Sequence, residues 1–219
     1  MILLIDTAQE TGTIALSQAG VVLFSEENTI AKEHAAWLHM AVRRLLDEAK
    51  MSIGELEAVV VIAGPGSYTG LRVGLAAAKG FCYALKIPLI TQNTLRVMGE
   101  SMGPLASEKN ALVCPLIDAR RDEVYTAVYD PDMSEILPPQ ALILNKNSFD
   151  LRLRENRIIF FGSGSSKWEA MNVSASAIFV PQRNSIQSFA TLAHKDFDQK
   201  KWADPVYTEP VYLKEFFSY

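Results

Sequence analysis

The run Val59-Val60-Val61-Ile62-Ala63-Gly64-Pro65-Gly66-Ser67-Tyr68-Thr69-Gly70-Leu71-Arg72 reads as a strand buried on both faces that enters a glycine turn and then a helix. That helix is apolar on nearly every side. At about 100° per residue from Thr69, the polar positions Arg72, Lys79 and Tyr83 fall within one narrow strip. Gly70, Val73, Gly74, Ala77 and Ala84 fill one flank, and Leu71, Leu75, Ala78, Cys82 and Leu85 fill another. One flank can cover the parent sheet. The other, left in water, would be an apolar patch of the kind that marks contact with another chain. A chain with this helix is expected to be an assembly subunit. The small-residue flank is the candidate partner surface, with Leu71, Leu75 and Cys82 as the alternative.

Glycines between a strand and a helix N-terminus can bring backbone N–H groups close to a phosphate, which makes Gly64, Gly66 and Ser67 candidate phosphate contacts. Their spacing, G-x-G-x-x-x-G, is one residue longer than the dinucleotide fingerprint, and no Gly-Lys-Ser/Thr follows as in a P-loop. The other reading of these residues is a tight turn with Ser67 or Thr69 as the helix cap.

At 219 residues the chain can form one large domain or two half-sized lobes, and 49% hydrophobic residues suffice for a core. The net charge is −4 and neither half is basic, so tight unaided binding of nucleic acid is not expected. Cys82 and Cys114 form neither a disulfide framework nor a metal spacing, which fits a reducing cytoplasm. The opening run 1–5 stops at Asp6 without a basic lead, and no apolar stretch approaches ~20 residues. Neither secretion nor membrane insertion is expected.

Short strands at 2–6, 13–17 and 21–25 suggest an antiparallel meander. A helix at 33–50, a strand at 57–63, the apolar helix at 69–85, a strand at 88–91 and a helix at 94–102 ended by Gly103-Pro104 complete an α/β lobe over residues 1–105. Residues 106–219 echo it. Leu116-Ile117-Asp118 followed by 124–129 repeats Leu4-Ile5-Asp6 followed by 13–16, and Arg157-Ile158-Ile159-Phe160-Phe161-Gly162-Ser163-Gly164-Ser165 repeats the strand and glycine turn of 59–67. Echoes in the same order point to internal duplication. Between them, 130–139 reads as a surface loop, and the proline-punctuated tail 205–214 as extended chain.

The strand ending in Asp6-Thr7, the glycine motif from Gly64 to Gly74, Ile117-Asp118-Ala119-Arg120 with Glu123-Val124-Tyr125, and the closing Pro210-Val211-Tyr212-Leu213 together resemble the bacterial TsaB (YeaZ) family over nearly the whole chain. The glycine motif with its helix is the specific part, whereas Asp-Thr after a first strand is common in the actin, hexokinase and Hsp70 (ASKHA) superfold. The resemblance implies an α/β protein of two ribonuclease-H-like lobes that helps make threonylcarbamoyladenosine beside the tRNA anticodon. In that family the transfer of the threonylcarbamoyl group from its adenylate to tRNA belongs to TsaD. TsaB is its noncatalytic dimerisation partner, and an ATPase, TsaE, joins them. By the same resemblance the chain needs no cofactor of its own, with any nucleotide at the partner interface, and meets tRNA through the complex. The family's partner contacts lie on its first two helices, which match 33–50 and 69–85 here.

The residues of 33–50 agree. Leu38, Val42, Leu45, Leu46 and Ala49 form a core stripe, while Ala36, Trp37 and Met40 sit off it as further candidate partner residues. Alone, such a chain is expected to form a homodimer through the same surface.

Other chemistry has thin support. His34 and His39 are five apart, about 140° around a helix, too divergent to share a metal ion, and His194 has no ligand cluster near it in sequence. His34 reads as a packed residue at the helix entrance. Asp6 and Asp118 close equivalent strands, where nucleotide-handling members of the superfold bring aspartates to Mg²⁺; the alternative is a turn-capping role. Ser67 and Ser163 have no base beside them in the sequence, and residues 120–123 read as a solvated hairpin tip. The rivals to a partner subunit are therefore a nucleotide-dependent phosphotransferase or ATPase, weakened by the absence of glycine in 7–10, and a glycoprotease-like metallopeptidase, weakened by the histidine spacing.

Overall fold

A computed structural model describes residues 1–30, 33–171 and 174–214. In chain order its elements are β1 (Ile2–Asp6), β2 (Gly12–Gln18), β3 (Val21–Asn28), α1 (His34–Ala49), a 3-10 turn (Ile53–Glu55), β4 (Ala58–Gly64), α2 (Tyr68–Leu85), β5 (Leu89–Asn93), α3 (Thr94–Glu100), α4 (Gly103–Lys109), β6 (Ala111–Asp118), β7 (Glu123–Tyr129), β8 (Glu135–Ile143), α5 (Asp150–Glu155), β9 (Arg157–Phe161), α6 (Ser165–Glu169), β10 (Ala177–Phe179) and α7 (Ile186–Asp198).

Two five-stranded sheets share one topology. The first has the order β3-β2-β1-β4-β5 and the second β8-β7-β6-β9-β10. In each, three antiparallel strands pass into two parallel ones. The echoes in the sequence are thus corresponding strands: β1 with β6, β2 with β7, and β4 with β9. Each lobe is ribonuclease-H-like.

Contacts divide the described residues into 1–94 with 186–211, and 95–185 with 212–214. This corrects the boundary at residue 105, and the reason is coverage of sheet faces. In the first unit, Leu3, Ile5, Ile14, Leu16, Val59 and Val61 pack under α1 and α2. Strand alternation turns Leu4, Ala15 and Val60 the other way, yet each is wholly buried. The helix packed on these strands from later in the chain is α7, with Phe189, Ala190, Leu192 and Ala193 buried. In the second unit, α3, α4 and the turn between them supply Leu95, Met98, Met102 and Ala106 to one face of the sheet. Leu153 of α5 and Trp168 of α6 lie in the core on its other face with Cys114, Leu116 and Phe160.

Two local expectations also change. Gly103-Pro104 opens α4 instead of ending structure, since proline fits the first helical turn where no N–H is needed. The stretch 130–139 is a turn followed by the start of β8, where Pro138 and Pro139 are tolerated because β8 is an edge strand. Among the described residues, no helix is long and apolar enough to cross a membrane.

Candidate partner surface

The helix α1 sets Leu38, Ala41, Val42, Leu45 and Leu46 into the core of the first unit. The helix α2 buries Gly70, Leu71, Gly74, Leu75, Ala77, Ala78 and Cys82 in the same way. Between their outer faces lies an apolar depression of about 510 Å³ lined by Ala35, Leu38 and His39 from α1 and by Val73, Ala76, Ala77, Gly80 and Phe81 from α2. The His39 and Phe81 rings meet across it with centroids 5.4 Å apart. A Cβ built on Gly80 would meet nothing within 4 Å, so the chain's own packing does not require glycine there.

The candidate partner residues separate in three ways. Val73 and Ala77 line the depression. Ala36 and Met40 are exposed on α1, and Ala84 is exposed near the end of α2, all outside its lining. Gly70 and Gly74 face the chain's own sheet, a correction with a plain steric cause. A Cβ on Gly70 would lie 1.9 Å from the Thr7 carbonyl oxygen, and one on Gly74 would lie 2.4 Å from Thr7 Oγ1. Trp37 is turned toward β3, where its indole N–H donates to Glu26 Oε1 at 2.7 Å and Arg44 Nε donates to Glu26 Oε2 at 2.9 Å. Those bonds, that of Arg44 foremost, hold the Glu26 carboxyl below its ordinary range against the opposing effect of burial.

Ala35, Leu38, His39, Ala76, Gly80 and Phe81 are the lining residues that reading the sequence missed. Their signal was the row 73, 76, 77, 80, an i, i+3, i+4, i+7 stripe that continues the small-residue flank.

The glycine turn packs against the chain's own residues, and Ser67 takes the helix-capping role that was the other reading of it. Ser67 N donates to the Ala8 carbonyl at 2.7 Å, and Ser67 Oγ caps α2 by accepting from Gly70 N at 3.3 Å. Gly66 lies so close to Ala8 that a Cβ would sit 2.3 Å from its oxygen. Gly64 has φ of 127°, and a Cβ there would stand 2.6 Å from the Val211 oxygen.

The polar candidates have structural engagements. His34 is buried, its Nδ1 3.0 Å from Asn28 Nδ2 and its Nε2 3.3 Å from the Gln9 oxygen, which is the packed role expected of it. Because the amide Nδ2 donates and the carbonyl accepts, the ring is held as the Nε2–H tautomer. His194 pairs with Asp198 at 3.4 Å. Asp6 Oδ1 accepts from Ala8 N at 2.9 Å, and burial pushes its carboxyl up to about 6 despite that bond. Asp118 accepts from Lys167 Nζ and from Arg120 N, both at 2.6 Å. Burial raises its carboxyl, but these partners outweigh that and hold it below the ordinary range. Among the described residues, no three His, Cys, Asp or Glu side chains are grouped to hold a metal ion.

Paired ribonuclease-H-like lobes, with a glycine turn leading into an apolar helix, define a two-lobed α/β protein of the ASKHA class. A family model described as TsaD, tRNA N6-adenosine threonylcarbamoyltransferase, matches residues 22–194. Within that breadth, the chain belongs to the TsaB (YeaZ) family. It is 31% identical over 173 residues to the tRNA threonylcarbamoyladenosine biosynthesis protein TsaB of Bacillus subtilis, covering 78% of this chain and 74% of the relative. The Escherichia coli TsaB is 28% identical over 222 residues, covering 97% and 94%. The solved structure of YeaZ from Pseudomonas aeruginosa superposes with a TM-score of 0.77 at 25% identity, over 97% of this chain and 99% of that one.

Proposed function

We propose that this chain works in the formation of threonylcarbamoyladenosine in tRNA as the noncatalytic partner of a TsaD-like transferase, which it binds through the depression between α1 and α2. The observation that carries the reading is that depression: an open apolar trough with four small residues and one polar ring, that of His39, in its lining. Small residues let a second helix approach closely, and helix pairs pack at about 8–10 Å between axes. Relatives named as biosynthesis proteins for this nucleoside support the pathway, and a family model named for the transferase supports a partner of the same fold. The internal engagement of His34 and of the Ser67 turn supports a supporting role over a chemical one. In this reading the chain alone hides the trough by forming a homodimer, a TsaE-like ATPase joins the pair, and the assembly delivers the tRNA substrate.

Ala76 provides the test, because it is exposed on α2 and lines the trough. Ala76→Arg is expected to fold normally while placing a charge where a partner would bury it, at a cost of several kcal/mol. Sedimentation of the variant with the TsaD-like protein should show separate chains, and tRNA from cells carrying only the variant should lack the modified nucleoside. A folded variant that still pairs and still supports modification overturns the reading.

A further inference from the structure

The trough between α1 and α2 has the relief that pairing with a second copy of this chain requires. In and beside it, Met40, 52% exposed, and the half-buried Phe81 stand next to the exposed small residues Ala35, Ala36, Ala76 and Gly80. A Cβ on Gly80 would meet nothing within 4 Å, which leaves a hollow beside the Phe81 ring. A twofold axis sets one patch against the same patch of another copy, and a patch that holds both knobs and hollows can fill itself. No carboxylate, lysine or arginine lines the trough, so one residue alone brings the question of charge into such a pair.

That residue is His39. It is exposed and lines the trough, and its ring meets that of Phe81 with centroids 5.4 Å apart. Histidine is the side chain that exchanges a proton between pH 5 and 8, so the groups facing the ring decide what that proton does to a contact. Within one turn on α1, Ala35, Ala36 and Val42 are uncharged, and the exposed Arg43 is a cation whose Nε lies 3.9 Å from Asp47 Oδ2. On α2, the helix packed against it, Ala76, Ala77, Gly80 and Phe81 carry no charge. The cations of α2, Arg72 and Lys79, lie about 100° around that helix from the centre of the trough, and Lys79 Nζ reaches the Val206 carbonyl at 3.5 Å. Neither helix turns a carboxylate into the trough. A second copy supplies the same lining and so offers none either. Burial among apolar groups disfavours the charged imidazole, and two charged rings in one symmetric contact would also repel each other.

We propose that His39 makes self-pairing through the trough pH-dependent: two copies pair with both rings neutral, and protonation of the rings separates them. The proposal rests on the function reading for the trough as a contact surface, and adds to it a control over when that surface is free.

The test is sedimentation of the full chain over a concentration series at pH 7.5, 6.5 and 5.5, for the unmutated chain, His39→Gln and Ala76→Arg. The dissociation constant of the unmutated pair should rise about tenfold or more between the highest and lowest pH. His39→Gln, whose side chain is neutral throughout, should change less than about threefold. It keeps Asp6, His34 and His194, so their titration is common to both chains. Far-ultraviolet circular dichroism should be the same at all three pH values, and Ala76→Arg should stay monomeric at each. Pairing that ignores pH in the unmutated chain, or that responds equally in His39→Gln, overturns the inference and leaves the function reading standing. Pairing that survives Ala76→Arg lies elsewhere on the chain and also overturns it. A chain that is monomeric at pH 7.5 removes the inference together with the homodimer, while pairing with the TsaD-like protein is judged separately by Ala76→Arg in its presence.

Discussion

Thr7 Oγ1 donates to the Gly70 carbonyl at 2.7 Å, joining the end of β1 to the first turn of α2. The approach is close enough that a Cβ on Gly74 would lie 2.4 Å from the same hydroxyl and 3.3 Å from the Ile5 side chain. Gly74→Ala is therefore expected to destabilise the fold by about 1–3 kcal/mol through overpacking. Gly80, on the same helix, has nothing within 4 Å of a built Cβ, so Gly80→Ala should stabilise it by about 1 kcal/mol through helix propensity. Urea midpoints moving in opposite directions would bear this out. Both moving down would show that something fills the space above Gly80.

The contrast between these glycines marks the limit of what was legible in the sequence. Periodicity put Gly70, Val73, Gly74, Ala77 and Ala84 on one flank of α2, but it cannot say how far around that flank the parent sheet reaches. Thr7, more than sixty positions earlier, decides that. The duplicated lobes were legible because strand, turn and Asp recur in local patterns at 4–6 and 116–118. The division of the chain was not, because α7 is distant in sequence from the sheet it covers and its periodicity names no partner. The trough was half legible: its row on α2 continues a recognisable stripe, whereas Ala35 and His39 become lining residues only once α1 lies beside α2.

The histidines of α1 should differ sharply. His34→Ala removes a buried ring held by Asn28 and leaves the Gln9 carbonyl without that contact, so it should cost roughly 2–3 kcal/mol in thermal or chemical denaturation. His39 is exposed and meets Phe81, so His39→Ala should stay within about 0.5 kcal/mol. Equal losses at both positions would refute the structural role assigned to His34.

The aspartates closing β1 and β6 occupy corresponding places yet should respond to pH with opposite sign. Burial lifts the Asp6 carboxyl from 3.8 to about 6, so the folded chain holds this proton more tightly than the unfolded one. Its contribution to stability is full below pH ~4 and is lost as the pH rises through about 6, reaching at most about 3 kcal/mol. Asp6→Asn keeps an oxygen for the Ala8 amide and removes a half-buried charge. It should therefore stabilise the protein at pH 8, with the gain vanishing near pH 4. Asp118 is held below 3.8 once its bonds to Lys167 and Arg120 outweigh burial, so its contribution is present above that value and is lost as the pH falls through the lowered one. Asp118→Asn weakens the grip of Lys167 on the β6–β7 hairpin, where Lys167 Nζ also donates to the Arg121 carbonyl at 2.6 Å. It should destabilise at pH 7, with the difference closing as the pH falls below 3.8. Melting curves of both variants across that range make the comparison, and a loss of stability at pH 8 from Asp6→Asn would mean that the charged carboxylate has a stabilising partner in the fold.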